Sequence, residues 1–179
     1  MFELWLELTN IPSEGVYYTI NDQRIWQQPI NDFELPYKII GSVLADVHIQ
    51  PQSEGYLIQG SINGEIVLPC SRCAEPTNLE LNDNFKIFES VISPLNEDNI
   101  SESAEVTYLR KLSGIFELDI AGILWEQFIL TIPMKPICSE ECLGLCPHCG
   151  HNLNYETCQC PDLQEDLQMA VFKNIKLKQ

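Results

Sequence analysis

Eight cysteines in two groups constrain this chain more than any other feature of its sequence. Two lie upstream, at the ends of the tetrapeptide Cys70-Ser71-Arg72-Cys73. The other six lie close together downstream, at Cys138, Cys142, Cys146, Cys149, Cys158 and Cys160. The run Cys146-Pro147-His148-Cys149-Gly150 is typical of a tight turn that directs two thiolates at one metal ion. The spacing therefore predicts a structural metal site in preference to an active site.

The beginning of the chain bears on the other uses of thiols, which are disulfides, redox chemistry and inert burial. Residues 1–10 read MFELWLELTN, without the basic start and the long apolar run of a signal peptide. The sequence also contains no run of about 18 apolar residues that would span a membrane. We therefore expect a cytoplasmic protein. In a reducing cytosol, closely spaced cysteines are more often metal ligands or catalytic thiols than disulfides.

The downstream spacing favours zinc but leaves the ligand set open. We prefer Cys146, Cys149, Cys158 and Cys160, because the chain returns after eight residues and closes a compact loop. The remaining pair, Cys138 and Cys142, has three uses. It could bind a second ion with Cys70 and Cys73, replace one of the preferred four, or remain buried as small apolar residues. The sequence thus predicts one or two structural zinc ions.

Two histidines near the preferred ligands need the same consideration, because imidazole is a common zinc ligand. His148 lies inside the tight turn, where its side chain is expected to point away from the metal and into solvent. His151 could replace a thiolate, but the abundance of nearby cysteines argues against it. We therefore predict sites made of thiolates alone.

Two classes of enzyme also use closely spaced cysteines. The run Pro69-Cys70-Ser71-Arg72-Cys73 resembles half of a zinc deaminase signature, but the upstream His48-Ile49-Gln50 lacks the Glu that such enzymes need. A thioredoxin-type dithiol requires a surrounding βαβ pattern, whereas this pair lies between predicted antiparallel strands. GxSxG, P-loop, GxGxxG and HExxH motifs are absent from the sequence. We predict that the protein is not an enzyme and has no small-molecule substrate.

The charge of the chain limits its partners. It has 26 acidic and 10 basic residues, which gives a formal net charge of −16. A broad nucleic-acid surface is disfavoured because neutralising phosphates requires Lys and Arg. A basic protein partner fits better, although acidity of this kind also serves to keep a surface soluble. Lys173, Lys176 and Lys178 form a short basic tail that could touch RNA, but the dipole of a final helix also favours lysines there.

Alternating apolar residues predict strands in the first half of the chain. The runs are residues 2–8, 16–20, 43–49, 55–62, 65–68 and 79–87. Asn63-Gly64, between two of these runs, is typical of a two-residue hairpin turn because both positions of such a turn need positive φ. The upstream cysteine pair is predicted to lie in the connection between two strands.

The second half of the chain changes character. Residues 90–105 are polar and acidic and are predicted to form a mobile loop, while residues 118–132 have helical spacing with Asp119 as the N-cap. A second helix is predicted after Pro161, with Asp162 and Glu165 in a capping-box arrangement. The fold class is α+β. Residues 1–117 are predicted to form an antiparallel β-rich body with the CxxC turn and the acidic loop. Residues 118–179 are predicted to form a helix, the zinc-binding cysteine cluster and a final helix, within one compact unit.

The run LDIAGILWEQFILTIPMKPICSEECLGLCPHCGHNLN, with CQC and the C-terminal NIKL, resembles the C-terminal half of the YceD family, also called the large ribosomal RNA subunit accumulation protein family. Its most specific parts are the IPMKP run, the cysteines that follow it, and the GLCP, CG and NL elements. The upstream CSRCAEP resembles the CxRCLxP element of the family. The resemblance extends from about Gly60 to the end, whereas residues 1–59 resemble the family only loosely.

The resemblance implies a ribosome-assembly factor that supports the accumulation of large-subunit ribosomal RNA without being a ribosomal component. Family members are often encoded beside a small basic ribosomal protein that contains zinc, and some of them lack the downstream cysteines. This chain has no obvious plastid transit peptide, so we expect it in a bacterial cytoplasm.

The predicted mechanism is non-catalytic. The acidic body would hold a basic large-subunit ribosomal protein or a pre-ribosomal particle, and the zinc segment would give rigid shape to one edge of the contact. Direct RNA contact is secondary, with Arg72 and the three tail lysines closest to any RNA. The alternative function is a zinc-coupled thiol redox sensor or holdase, in which oxidation releases the metal and exposes an apolar surface.

Overall fold

A computed structural model describes residues 2–91 and 108–160. The elements of this part are β1 (Trp5–Glu7), β2 (Val16–Ile20), α1 (Arg24–Asp32), β3 (Lys38–Gln52), β4 (Gly55–Pro69), β5 (Pro76–Ser90), β6 (Leu109–Leu112), β7 (Ile115–Asp119) and α2 (Ile120–Thr131). The predicted fold class, an antiparallel β-rich body with a helix leading into a cysteine-rich segment, is confirmed. The predicted acidic loop lies almost wholly outside the described residues, as do the predicted final helix and the tail lysines.

The larger sheet contains four antiparallel strands in the order β2-β3-β4-β5. Along the central strand β4, the even-numbered residues point into the core and include the buried Ile58, Ile62, Ile66 and Leu68. This alternation is the one that the sequence showed, and it places one face of the sheet on the core.

The prediction of a hairpin turn at Asn63-Gly64 is wrong. Strand β4 continues through both residues, and Asn63 pairs with Leu44 on one side and with Asn82 on the other. Gly60 and Gly64 share the inward face, and a Cβ at Gly60 would lie 2.5 Å from the ring of Phe85. These glycines therefore permit close packing inside a strand, and the uninterrupted period of two outweighs the local turn signal.

The smaller sheet joins the beginning of the chain to its middle. Its order is β1-β7-β6, and Leu6 in β1 pairs with Leu118 in β7. Arg110 in β6 holds this sheet from outside, since its guanidinium lies 3.6 Å from the centre of the Trp5 ring and its Nε lies 2.6 Å from Glu117 Oε2. Strands β6 and β7 were not predicted from the sequence.

Both helices contribute to the apolar core. Helix α2 confirms the predicted helix and its cap, because Asp119 Oδ1 accepts a hydrogen bond of 3.1 Å from the amide of Gly122. Helix α1 was not predicted, yet its Trp26 is fully buried with a ring centroid 5.5 Å from that of Phe128 in α2. The division of the chain at residues 117 and 118 stays a prediction. No helix among the described residues is long and apolar enough to cross a membrane.

Candidate metal centres

The structure gathers the eight cysteines into two groups of four. The upstream tetrad is Cys70, Cys73, Cys138 and Cys142, and the downstream tetrad is Cys146, Cys149, Cys158 and Cys160. Within each tetrad the four Sγ atoms lie within 4.8 Å of one another. All eight cysteines are free thiols.

The spacing of the sulfur atoms suits a tetrahedral metal ion. In the upstream tetrad, Cys70 and Cys142 are 3.8 Å apart and Cys73 and Cys138 are 3.7 Å apart, measured between Sγ atoms. A zinc ion bound at about 2.3 Å to four thiolates places its sulfurs about 3.8 Å from one another. A disulfide would require about 2.05 Å. The donor set therefore fits zinc, with three of the four ligands buried.

The turn between β4 and β5 positions the first two upstream thiols. It is closed by hydrogen bonds from Cys70 N to Glu75 O (2.8 Å) and from Ala74 N to Cys70 O (2.9 Å), and Ala74 takes a φ of 61°. The amides of Arg72 and Cys138 donate to the sulfur of Cys70 at 3.4 and 3.3 Å. Backbone amides that point at a sulfur stabilise its thiolate form.

The segment after α2 brings the other two upstream thiols to this turn. Ser71 N donates to Pro136 O at 2.7 Å, which fixes the chain just before Cys138. The guanidinium of Arg72 then donates to the carbonyls of Glu140 (3.2 Å) and Cys142 (2.9 Å). The predicted contact residue Arg72 is thus engaged in joining the two halves of the upstream tetrad.

The downstream tetrad is a local structure built from residues 146–160. Gly150 has a φ of 73°, and its amide donates to Cys146 O at 2.9 Å, so the turn after the first pair closes as its glycine suggested. Cys146 N donates to His151 O at 2.7 Å. The Sγ atoms of Cys146 and Cys158 are 3.5 Å apart. Only Cys146 is buried in this group.

Two thiols, Cys70 and Cys146, have lowered pKa values and therefore ionise more readily than an ordinary cysteine. Burial opposes ionisation of Cys70, but N–H groups of Cys73, Arg72 and Cys138 outweigh it and lower the pKa of this thiol to about 6. Amides of Cys149 and His148 likewise lower the pKa of Cys146 to about 6 against the effect of burial.

Other thiols in the same tetrads resist ionisation. The amide of Glu75 favours the Cys73 thiolate, yet burial and the neighbouring thiols outweigh it and raise the pKa of Cys73 to about 12. The thiol of Cys149, with burial, raises the pKa of Cys160 to about 12. Ionisation of one thiol in a tetrad therefore opposes ionisation of its neighbours, and a cation such as a zinc ion would compensate the accumulated negative charge.

The structure separates the histidines from both tetrads. His148 and His151 are exposed, and His151 Nε2 lies 3.6 Å from Glu156 Oε2. Neither belongs to a tetrad. Cys138 and Cys142 lie with Cys70 and Cys73, which is one of the three uses that the sequence left open. The roles of the eight cysteines as ligands stay predictions.

Two asparagines near the thiols were missed in the sequence. Asn154 Nδ2 donates to Cys142 Sγ at 3.4 Å, and Asn152 Nδ2 donates to Glu75 Oε1 at 3.2 Å. Both stand in the loop of the downstream tetrad, yet both contact the upstream part of the site. Their alternation in Asn152-Leu153-Asn154 was the available signal, but the partners of a loop amide depend on the tertiary fold.

Comparison with known proteins gives a family. The model of the family described as "Large ribosomal RNA subunit accumulation protein YceD" matches residues 58–176, a range that contains all eight cysteines. No solved structure matches the chain.

Relatives from bacteria and plants are similar at low identity. A protein of Arabidopsis thaliana named "Large ribosomal RNA subunit accumulation protein YCED homolog 1, chloroplastic" is 27% identical over 140 residues, which cover 66% of this chain and 44% of that protein. A protein of Haemophilus influenzae named "Large ribosomal RNA subunit accumulation protein YceD" is 25% identical over 118 residues, with coverages of 62% and 64%. An uncharacterized protein of Mycobacterium tuberculosis is 26% identical over 110 residues, with coverages of 59% and 48%. The chain spans about half the length of most of the curated relatives that it matches.

Proposed function

Because the chain belongs to the YceD family, we propose that it is a non-catalytic ribosome-assembly factor that supports the accumulation of large-subunit ribosomal RNA in the bacterial cytoplasm. The observation that carries this proposal is the family match over residues 58–176. The relatives from Arabidopsis thaliana and Haemophilus influenzae are both named large ribosomal RNA subunit accumulation proteins, which supports the RNA-accumulation part of the proposal.

The partner that we propose is a basic large-subunit ribosomal protein or the pre-ribosomal particle that contains it. The formal net charge of −16 supports this choice, since opposite charge speeds association and disfavours bare nucleic acid as the main ligand. Direct RNA contact by Arg72 or by Lys173, Lys176 and Lys178 is secondary. The two hydrogen bonds of Arg72 to backbone carbonyls argue that its first role lies within the protein.

We propose one structural zinc ion for each tetrad. The support is the chemistry of the donors, which are four thiols within 4.8 Å of one another, with amide groups aimed at Cys70 and Cys146. Bound zinc would supply the charge that lets all four thiolates coexist. Metal analysis of untagged, reduced protein tests this directly: two zinc ions per chain are expected, and a metal-free protein would remove the zinc proposal.

The assembly function is tested in cells. We expect deletion of the gene to lower the ratio of large to small subunits and the level of mature large-subunit RNA, in cold or warm growth. The wild-type gene should restore both, and so should the matched surface variant Arg24→Ala. A double variant Cys70→Ser/Cys142→Ser should not restore them. Normal subunit profiles in the deletion strain would overturn the assembly function.

A zinc-coupled thiol redox sensor or holdase is the second candidate, and one observation favours it. Each tetrad exposes a thiol, Cys138 upstream and Cys149 downstream. Hydrogen peroxide would oxidise two thiols of a tetrad to a disulfide and would itself be reduced to two water molecules. The loss of two ligands would release the zinc. Reversible zinc release with a gain of chaperone activity is the expected result. Irreversible precipitation without that gain would exclude this function.

A further inference from the structure

The loop that carries the downstream ligands reaches a ligand of the upstream tetrad. Asn154 stands between Cys149 and Cys158, and its Nδ2 donates to Cys142 Sγ at 3.4 Å. Its Oδ1 accepts a hydrogen bond of 2.8 Å from Leu143 N, the residue after Cys142. One side chain of the downstream loop therefore contacts both the sulfur and the backbone at an upstream ligand.

A second set of contacts fixes Asn154 in this place. Its Nδ2 also donates to Asn152 Oδ1 at 2.7 Å, and Asn152 Nδ2 donates to Glu75 Oε1 at 3.2 Å, close to the upstream turn. The backbone continues the connection, since Leu145 N donates to Arg72 O at 3.1 Å and Leu153 N donates to Gly144 O at 2.9 Å. The two tetrads thus share a hydrogen-bonded support.

A metal ion in the downstream tetrad would hold this support in its bonded arrangement. Residues 150–157 connect Cys149 to Cys158, and backbone hydrogen bonds at Gly150, His151 and Leu153 tie the first half of this loop to the chain before it. A zinc ion that joins both ends of the loop removes much of its conformational freedom. The amide of Asn154 is then already placed when Cys142 binds its own metal.

We propose that Asn154 couples the two metal sites, so that zinc at the downstream site strengthens zinc binding at the upstream site. This inference rests on the proposed zinc role of both tetrads. Partners that hydrogen-bond to a metal ligand orient it, and their loss lowers metal affinity by about 10- to 100-fold. Linkage makes the effect reciprocal, because upstream zinc must strengthen downstream binding by the same factor.

Substitutions of Asn154 test the coupling, and Asn154→Asp is nearly isosteric with the native residue. Asn154→Asp keeps an oxygen that accepts from Leu143 N but loses the N–H groups that donate to Cys142 and Asn152. Asn154→Ala removes the same donors without adding a charge. Asn82→Asp, at an exposed position of strand β5, is the charge-matched control.

The measured quantity is the product of the two zinc dissociation constants, obtained by competition with a chelator. Both Asn154 variants should raise this product by about 10- to 100-fold, and Asn82→Asp should leave it unchanged. Cobalt(II) spectra of the fully loaded variants should keep the bands of tetrahedral thiolate sites, because the ligands themselves are unaltered. An unchanged product in both Asn154 variants would overturn the coupling.

Single-site proteins separate the coupling from the existence of the sites. Cys70→Ser/Cys73→Ser leaves the downstream tetrad, and Cys158→Ser/Cys160→Ser leaves the upstream tetrad. The wild-type product of constants should be about tenfold smaller than the product of the two single-site constants, and in the Asn154→Asp background the two products should agree. If both sites bind zinc but the measured product equals the product of the two single-site constants in the wild type as well as in Asn154→Asp, the coupling alone is overturned. Wild-type protein that binds no zinc would overturn the coupling together with the proposed metal role.

Discussion

The β-rich body and the cysteine segment, residues 137–160, are stabilised by different means. The body buries a continuous apolar cluster contributed by both sheets and both helices. In the segment, the described residues form no helix or strand beyond one isolated bridge between Leu145 and Asn152. Its small buried cluster consists of Cys142 with Cys70 and Cys73 of the upstream turn, and Ile137 packs against it. Burial of apolar side chains explains the stability of the body, whereas the segment needs another source of stability.

Conformational entropy explains why the segment cannot depend on hydrogen bonds alone. Ordering a residue costs about 1–2 kcal/mol, and a typical net hydrogen bond returns about 1 kcal/mol. Without an apolar core, a chain of this length requires a metal or a disulfide to remain ordered. The eight thiols lie where a metal would supply that energy. The comparison therefore predicts that the segment depends on metal and the body does not.

The largest expected effect is that of metal removal. With two zinc ions, each at about 100 times its dissociation constant, opening of the segment should be about 10,000-fold rarer, so chelation should speed amide exchange there by a similar factor. Amide exchange at Leu145, Cys146 and Leu153 measures this, because each donates a hydrogen bond within the segment or to the upstream turn. The central strand β4 is the internal control.

In β4, exchange should be nearly the same with and without metal. If metal removal accelerated amide exchange equally in β4 and in the segment, the body and the segment would open as one cooperative unit, and the proposed difference between the two regions would be wrong.

A core truncation should give the opposite pattern. Phe128 is fully buried between Trp26 and Trp125. We expect Phe128→Ala to lower the free energy of unfolding of the body by about 3–5 kcal/mol. Denaturant unfolding with and without excess zinc should give the same loss within about 0.5 kcal/mol, since distant sites contribute additively. A zinc-dependent loss would show that the core and the metal sites are coupled.

The same contrast explains which features the sequence predicted. Helix α2 and its Asp119 cap follow from local patterns, and so does the burial of alternate residues in β3 and β4. Helix α1 had a usable signal in Ile25, Trp26, Pro29 and Ile30, whose spacing places them on one face. Strands β6 and β7 are short, and the pairing of β7 with β1 depends on contacts far apart in the chain.

The grouping of the thiols shows the same limit. The downstream tetrad is local, so its spacing was enough to favour the four cysteines that the structure brings together. The upstream tetrad joins residues 70–73 to residues 138–142, and only the return of the chain after α2 places them side by side. Asn154 and the carbonyl contacts of Arg72 depend on that return as well. Asn63-Gly64 shows the opposite error, in which a strong local turn signal lies inside a central strand.

Arg72 lies at the junction of the two regions and attaches the segment to the body. Its guanidinium donates to the carbonyls of Glu140 and Cys142, and hydrogen bonds from charged groups contribute about 1.5–3 kcal/mol. We expect Arg72→Ala to weaken attachment of the segment by this amount while the free energy of unfolding of the body stays the same. Amide exchange across residues 137–146 measures the loss.

Arg24→Ala is the matched control for that variant, because Arg24 pairs with Asp22 on the surface of the body. It should leave exchange in the segment unchanged. If both variants accelerate exchange equally, general loss of charge and not the carbonyl contacts would be the cause.

The smallest effect is expected at the N-terminal cap of α2, the helix whose other end leads into the segment. Asp119 Oδ1 accepts from Gly122 N, and removal of such a cap costs about 1 kcal/mol. Asp119→Ala should therefore lower the thermal unfolding midpoint of the body by a few degrees, while Asp119→Asn, which keeps an acceptor, should lower it less. Zinc affinity should be equal in both variants, because the cap lies at the far end of the helix from the segment. A cap variant that released zinc would show that helix α2 transmits disorder to the tetrads, and the two regions would then not be stabilised independently.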